Sequence, residues 1–260
     1  MLTLFVNSRR EGLSQRTLEY YRYCLTPYVN RYELSADGIN KFLSNLTCGN
    51  SKCNYYNAIA VFVRWLIKTG HLKENPLDGV DKPKLAKRLL PSLTEAQVEL
   101  LINSADNLRD KCIISTFADS GMRLKELLNI TIENIDWDIF TITIIGKGNK
   151  QRKAPFTQRT ASLLQDYLRQ NKIKNGNLWD LNRYGVQTML RRLSELTGIK
   201  CNPHSFRRGF ACMLHRKGLS TLDIMHLGGW EDLDMVLKYT RSITFEDCLK
   251  HYKQVNKSQT

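Results

Sequence analysis

Arg123, Lys147, His204, Arg207, Trp230 and Tyr239 follow one another along the second half of the chain, and all but the tryptophan are of types that handle a phosphodiester directly. An arginine pair can grip the two free oxygens of a phosphate, a lysine and a histidine can move protons, and a tyrosine hydroxyl is a nucleophile able to hold a phosphoryl group covalently. Taken singly, each has a plain structural reading. An arginine near a helix start usually faces solvent, basic turns are common, and a tryptophan or a helical tyrosine usually packs. Their company and order point instead to cutting and rejoining a nucleic-acid backbone.

Local signals place these groups. Ser120-Gly121-Met122-Arg123-Leu124-Lys125-Glu126-Leu127-Leu128 reads as a tight turn opening a helix, with Arg123 in the first turn and Glu126 one turn on, on the same face. Phe140 to Ile145 is rich in β-branched residues, Gly146-Lys147-Gly148-Asn149-Lys150 is turn chemistry, and Gln151 to Phe156 returns, so Lys147 belongs to the tip of a β-hairpin. Ile130-Thr131-Ile132 is the candidate third strand. In Asn202-Pro203-His204-Ser205-Phe206-Arg207, Pro203 suits the start of a helix, and a three-residue step brings His204 and Arg207 together near its positively polarised end, where anions bind. Leu227-Gly228-Gly229-Trp230 breaks the helix of Ile224 and Met225, and a new helix beginning near Asp232 carries Tyr239.

The rest of the chain suits that chemistry. It has 260 residues, 42% hydrophobic, enough for two compact domains with buried cores. Its formal net charge is +14; residues 1–90 hold 14 Lys+Arg against 7 Asp+Glu and the remainder 25 against 18, so both parts are equally basic. Basic surfaces on two domains suit a polyanion gripped from two sides, because neutralised phosphates release counterions. The first ten residues lack a secretory h-region, and no apolar run is long enough to span a bilayer. Seven scattered cysteines fit a reducing cytoplasm better than a disulfide scaffold. Cys48 and Cys53 have no second pair at metal-ligand spacing, and no metal site is expected.

Residues 1–80 read as helical throughout. Ser14 caps a helix through Thr17, Tyr21 and Leu25, and Ser35 begins a short one holding Ile39, Phe42 and Leu43. From Asn54 onward, Tyr55, Ile59, Phe62, Val63 and Leu66 recur at helical steps, with Gly70 at the C-terminus and Asn75-Pro76 stopping further helix. Residues 81–91 combine two prolines with four basic residues as an extended linker. A second domain, 92–260, opens on a capping box at Thr94 and Gln97. The fold class is therefore mainly α with a small antiparallel sheet, in two domains, the first all-helical and the second mixed α+β.

The chain resembles the tyrosine recombinases of the phage integrase and Xer-like family. The matching motifs are Gly121-Met122-Arg123-Leu124-Lys125-Glu126-Leu127, Gly146-Lys147-Gly148, His204-Ser205-Phe206-Arg207, Gly228-Gly229-Trp230 and Tyr239-Thr240-Arg241, and residues 1–80 resemble the family's core-binding domain. An arm-binding module like that of many phage integrases is not evident. Trp230 stands where most members have histidine, and its indole N–H can donate one hydrogen bond but cannot shuttle protons. Arg208 stands where a histidine is frequent.

The resemblance implies that Tyr239 attacks the scissile phosphate to give a 3′-phosphotyrosine link and a free 5′-hydroxyl, while Arg123 and Arg207 hold the non-bridging oxygens. It implies His204 as proton acceptor or orienter, Lys147 as general acid, Glu126 as a support for its neighbours and Trp230 as a buttress, with no metal or cofactor. It further implies double-stranded DNA as partner, each protomer clamping its site between two domains, and a homotetramer in the synaptic complex. The helix at 245–253, with Phe245, Cys248, Leu249 and Tyr252 at helical spacing, would dock on a neighbouring protomer. The setting would be cytoplasmic, on the nucleoid. Three other readings share the residues: a type IB topoisomerase-like enzyme that relaxes DNA, a catalytically silent DNA-binding module, and an unrelated basic helical protein whose Arg, His and Tyr are structural.

Overall fold

The computed structural model describes residues 1–84, 92–145, 151–241 and 243–257, and the chain falls into two units, Met1–Arg88 and Leu89–Thr260. The described residues are mainly helical, with one three-stranded antiparallel sheet in the second unit.

In the first unit, α2 (Gln15–Val29) and α3 (Ala36–Ser44) start where Ser14 and Ser35 accept hydrogen bonds from the N–H groups of Thr17 and Gly38. Helix α4 (Gly49–Lys68) begins five residues before Asn54 and lacks a side-chain cap, so nothing local announces its first turn. Its end does follow from sequence. Gly70 takes φ +73°, and the N–H groups of Gly70 and His71 bond the carbonyls of Ile67 (3.1 Å) and Leu66 (2.9 Å), closing a Schellman turn. A six-residue helix α1 (Leu2–Asn7) precedes the first helix that sequence signals delimit individually. Packing holds it: the Phe5 ring is buried, with its centroid 5.2–5.5 Å from those of Tyr21, Phe62 and Trp65. Residues 81–84 form no regular element, and the rest of the expected linker, 85–91, lies outside the described residues.

The second unit opens on α5 (Glu95–Asn103), where Thr94 and Gln97 cap each other reciprocally. Helices α6 (Leu108–Ser120) and α7 (Leu124–Leu128) lead to the sheet, β1 (Ile135–Asp136), β2 (Thr141–Ile145) and β3 (Gln151–Pro155). Then follow α8 (Gln158–Asn171), α9 (Arg183–Thr197), α10 (Pro203–Arg216), α11 (Thr221–Gly228), α12 (Leu233–Thr240) and α13 (Phe245–Lys257). Strand β2 sits in the middle of the sheet, with Ile142 opposite Ala154 and Ile144 opposite Arg152. Alternation sends Ile142, Ile144 and Ala154 into a core with Phe117, Phe206 and Trp179.

The third strand is not where the β-branched run Ile130-Thr131-Ile132 put it. The Ile130 carbonyl accepts from Leu178 N–H (2.9 Å), and Ile132 N–H donates to the Gly176 carbonyl (3.0 Å), so this run is tied to another loop. The Asn134 side chain also accepts from Thr131 N–H (3.0 Å) and turns the chain into a 3₁₀ segment, Ile132–Asn134. The outer strand is β1, with Ile135 opposite Ile142. Strand β2 starts one residue later than expected, because Phe140 takes φ +51° to leave the turn.

Candidate active site

The turn between α6 and α7 is built on Gly121. It ends α6 with φ +56°, and a Cβ there would lie 2.5 Å from Phe210 Cδ1, so both backbone conformation and packing require glycine. The Gly121 carbonyl accepts a hydrogen bond from Arg207 Nη1 at 2.5 Å. Arg123 is not in the first turn of α7 but is its N-cap, in extended conformation. The buried Glu126 carboxylate holds it twice, accepting from Arg123 N–H at 2.8 Å and from Arg123 Nη1 at 2.7 Å. Half of the Arg123 side chain stays exposed.

Helix α10 supplies two more groups. Asn202 caps it, accepting from Ser205 N–H at 3.0 Å, and Pro203 occupies the first turn, as its fixed φ favours. His204 is exposed at this N-terminus, whereas Arg207, one turn on, is only 2% exposed. Burial, followed by the charge of Arg123, pulls the Arg207 guanidinium down to about 10, still charged at neutral pH. His204 is also lowered, by partial burial first and then by Arg208, Arg207 and Arg123, so its neutral form is favoured.

The α11–α12 turn brings in the last two. Gly229 takes φ +62° at the end of α11, and a Cβ on Gly228 would fall into the Trp230 ring. Trp230 is buried against Phe210 and has the Arg207 guanidinium 4.2 Å from its ring centroid. Its Nε1 and Arg207 Nη2 are buried donors with no hydrogen-bond partner among the described residues. Asp232 caps α12, which carries Tyr239 to a half-buried position, its ring centroid 5.6 Å from that of Trp230. Cys212 Sγ on α10 donates to the Tyr239 carbonyl at 3.2 Å, tying the helix end to α10.

Arg123, Glu126, His204, Arg207, Trp230 and Tyr239 thus come from α7, α10 and the α11–α12 segment to one region, while Lys147 lies outside the described residues. A further member, Arg152 on β3, escaped the sequence reading. Its Nη2 donates to Glu126 Oε2 at 2.9 Å, and its Nη1 to the Leu227 carbonyl at 3.2 Å. Strand alternation was the available signal, since Arg152 lies two residues before the buried Ala154 on the same face of β3, opposite Ile144, and its side chain is only 17% exposed. Arg152 offsets the charge of the Glu126 carboxylate, so Arg123 and Arg207 leave a positive site for an anion. Among the described residues, no group of three His, Cys, Asp or Glu is placed to hold a metal ion.

Residues 91–244 match the phage integrase family. The chain is 28% identical over 245 residues to the tyrosine recombinase XerA of Pyrococcus horikoshii, covering 90% of this chain and 86% of that protein. It is 28% identical over 265 residues to the tyrosine recombinase XerD of Neisseria meningitidis, covering 92% and 90%. Among solved structures, the XerH site-specific recombinase in a post-cleavage complex with palindromic difH substrate has a TM-score of 0.77 at 18% identity, over 100% of this chain and 84% of that one. A lambda integrase dimer bound to a core site has a TM-score of 0.76 at 15% identity, over 94% and 95%. At these identities the structural likeness is one of fold.

Proposed function

Because the chain belongs to the phage integrase family and is a tyrosine recombinase, an enzyme that cleaves and rejoins DNA, we propose that Tyr239 is its nucleophile and that Arg123 and Arg207 bind the scissile phosphate. The observation that carries this reading is the pair of buried, unpartnered donors, Arg207 Nη2 and Trp230 Nε1, beside the Tyr239 ring. Buried donors of that kind call for an acceptor, and phosphate oxygens supply it.

The Tyr239 hydroxyl attacks phosphorus in line, the bond to the 5′-oxygen breaks, and a 3′-phosphotyrosine forms. His204, neutral and next to three arginines, takes the phenolic proton; Lys147 gives one to the departing 5′-oxygen. Negative charge grows on the non-bridging oxygens as this happens, and the excess of guanidinium over carboxylate stabilises it. A 5′-hydroxyl from a second duplex reverses the step, and the phosphotyrosine conserves the bond energy. The substrate is double-stranded DNA, and the enzyme works on the cytoplasmic nucleoid.

Exchange between two duplexes requires four such cleavages, so the working form is a homotetramer. We assign the neighbour contact to α13, which exposes Phe245, Leu249 and Tyr252. Deleting residues 244–260 should leave monomer binding to DNA intact and weaken assembly.

The test is to incubate wild-type protein and Tyr239→Phe with nicked suicide duplexes drawn from a randomised pool, and to look for an adduct that survives SDS. An adduct with wild type alone establishes the nucleophile and delivers the site by sequencing. An adduct that persists in Tyr239→Phe overturns the assignment.

A further inference from the structure

We propose that Arg152 is a positioning residue that sets Arg123 and Trp230 in register with each other, acting through Glu126 and through the end of α11. The proposal rests on the reading of Tyr239, Arg123 and Arg207 given above. Arg152 reaches two separate elements with one guanidinium: Nη2 bonds Glu126 Oε2 at 2.9 Å, and Nη1 bonds the Leu227 carbonyl at 3.2 Å. Glu126 is the group that fixes both the backbone N–H and Nη1 of Arg123. Leu227 belongs to the last turn of α11, immediately before the Gly228-Gly229 turn that delivers Trp230.

The aliphatic stem is engaged too. A Cβ on Gly229 would collide with Arg152 Cδ, so the turn is shaped around this side chain. A planar guanidinium with two fixed N–H directions transmits position from one bond to the other, which a single ammonium cannot do. Capping the α11 carbonyl could be left to water, and neutralising Glu126 could be left to Arg123 alone. Only a rigid fork does both while tying the two elements to β3. Through Trp230 the tie extends to Arg207, whose guanidinium lies on the indole ring.

A residue with this role acts on the cleavage step and not on the affinity for DNA. The experiment uses the duplex trapped by wild-type protein and follows single-turnover adduct formation, DNA affinity and thermal unfolding for wild type, Arg152→Gln, Arg152→Lys, Glu126→Gln and the double variants. Arg152→Gln is expected to bind DNA as wild type does and to form adduct about 100-fold more slowly, the scale of a misplaced reacting group. Arg152→Lys keeps the charge and the stem but not the fork, and should recover only part of that loss. In the Glu126→Gln background, replacing Arg152 should slow cleavage far less than it does alone, because the link to Arg123 is already cut. An undiminished effect in that background, or an adduct rate for Arg152→Gln equal to wild type, overturns the proposal. Should Arg152→Gln fail to fold, Arg152→Lys with Glu126→Gln completes the same cycle with the same criterion. Absence of adduct from wild type would instead overturn the Tyr239 reading, and this proposal with it.

Discussion

The Arg207 guanidinium rests 4.2 Å from the centre of the Trp230 ring, so the indole serves as a floor for the arginine while its own Nε1 remains a separate donor. The two contributions can be split by substitution. Trp230→Phe keeps an aromatic face, loses the N–H and leaves a small cavity; it should cost about 1–2 kcal/mol in urea unfolding, less than full truncation. Adduct formation should nonetheless slow about tenfold, the value of one charge-assisted hydrogen bond. Trp230→Ala should lose about 3 kcal/mol as well, because it also opens the cluster of Phe210, Ile224 and Val236. Equal cleavage by Trp230→Phe and wild type would mean that the N–H does not touch the phosphate.

Glu126 should contribute to the acid limit of stability. Burial alone would raise its pKa, but the Arg123 N–H, the Arg152 charge and the Arg123 side chain outweigh burial and hold it below the ordinary value. A folded-state pKa below the unfolded one gives stability that is complete above about pH 4.3 and is lost as pH falls through the folded value. Glu126→Gln should flatten the acid arm of a stability-against-pH curve. At neutral pH it should cost about 3 kcal/mol by leaving the buried Arg152 without its carboxylate. Urea unfolding over a pH series reads both; an unchanged acid slope would place the acid sensitivity elsewhere.

What was legible in the sequence was local. Gly121 before Arg123, Pro203 after Asn202 and Gly229 before Trp230 announce backbone conformations within a few residues, and the structure shows each of those turns. The first turn of α4 and all of α1 carry no side-chain cap, and packing decides them. The Ile130–Ile132 run had the composition of a strand, but hydrogen bonds to Gly176 and Leu178 govern its pairing, and no local pattern reports them. Arg152 is the clearest case. Its partners lie 26 and 75 residues away, so it reads as an ordinary basic residue in a basic strand until the fold brings Glu126 and Leu227 to it.

His204 should give cleavage a particular pH profile. Partial burial and the charges of Arg208, Arg207 and Arg123 lower its pKa, so it stays neutral below the ordinary histidine value of about 6.5. As a proton acceptor it is competent when neutral. Single-turnover adduct formation should therefore decline in acid with a midpoint below pH 6.5, and His204→Gln should lower the plateau and remove that decline. A wild-type midpoint at or above pH 6.5 would show that the arginines do not govern this histidine.

Gly121 and Gly198 separate backbone strain from packing. Both end helices at positive φ, +56° and +71°, so alanine at either meets the left-handed penalty of about 1 kcal/mol. Around Gly198 a Cβ would have no atom within 4 Å, whereas at Gly121 it would press on Phe210 Cδ1 at 2.5 Å. Gly198→Ala should therefore lose only that penalty and cleave normally. Gly121→Ala should lose about 3 kcal/mol, adding overpacking to strain, and should slow adduct formation at least tenfold. The second effect arises because the Gly121 carbonyl is the anchor of Arg207 Nη1, so pushing the turn off Phe210 moves the arginine. Urea unfolding and single-turnover cleavage on the two variants test this; equal losses would mean that the Phe210 ring yields and that Gly121 is needed for its backbone conformation alone.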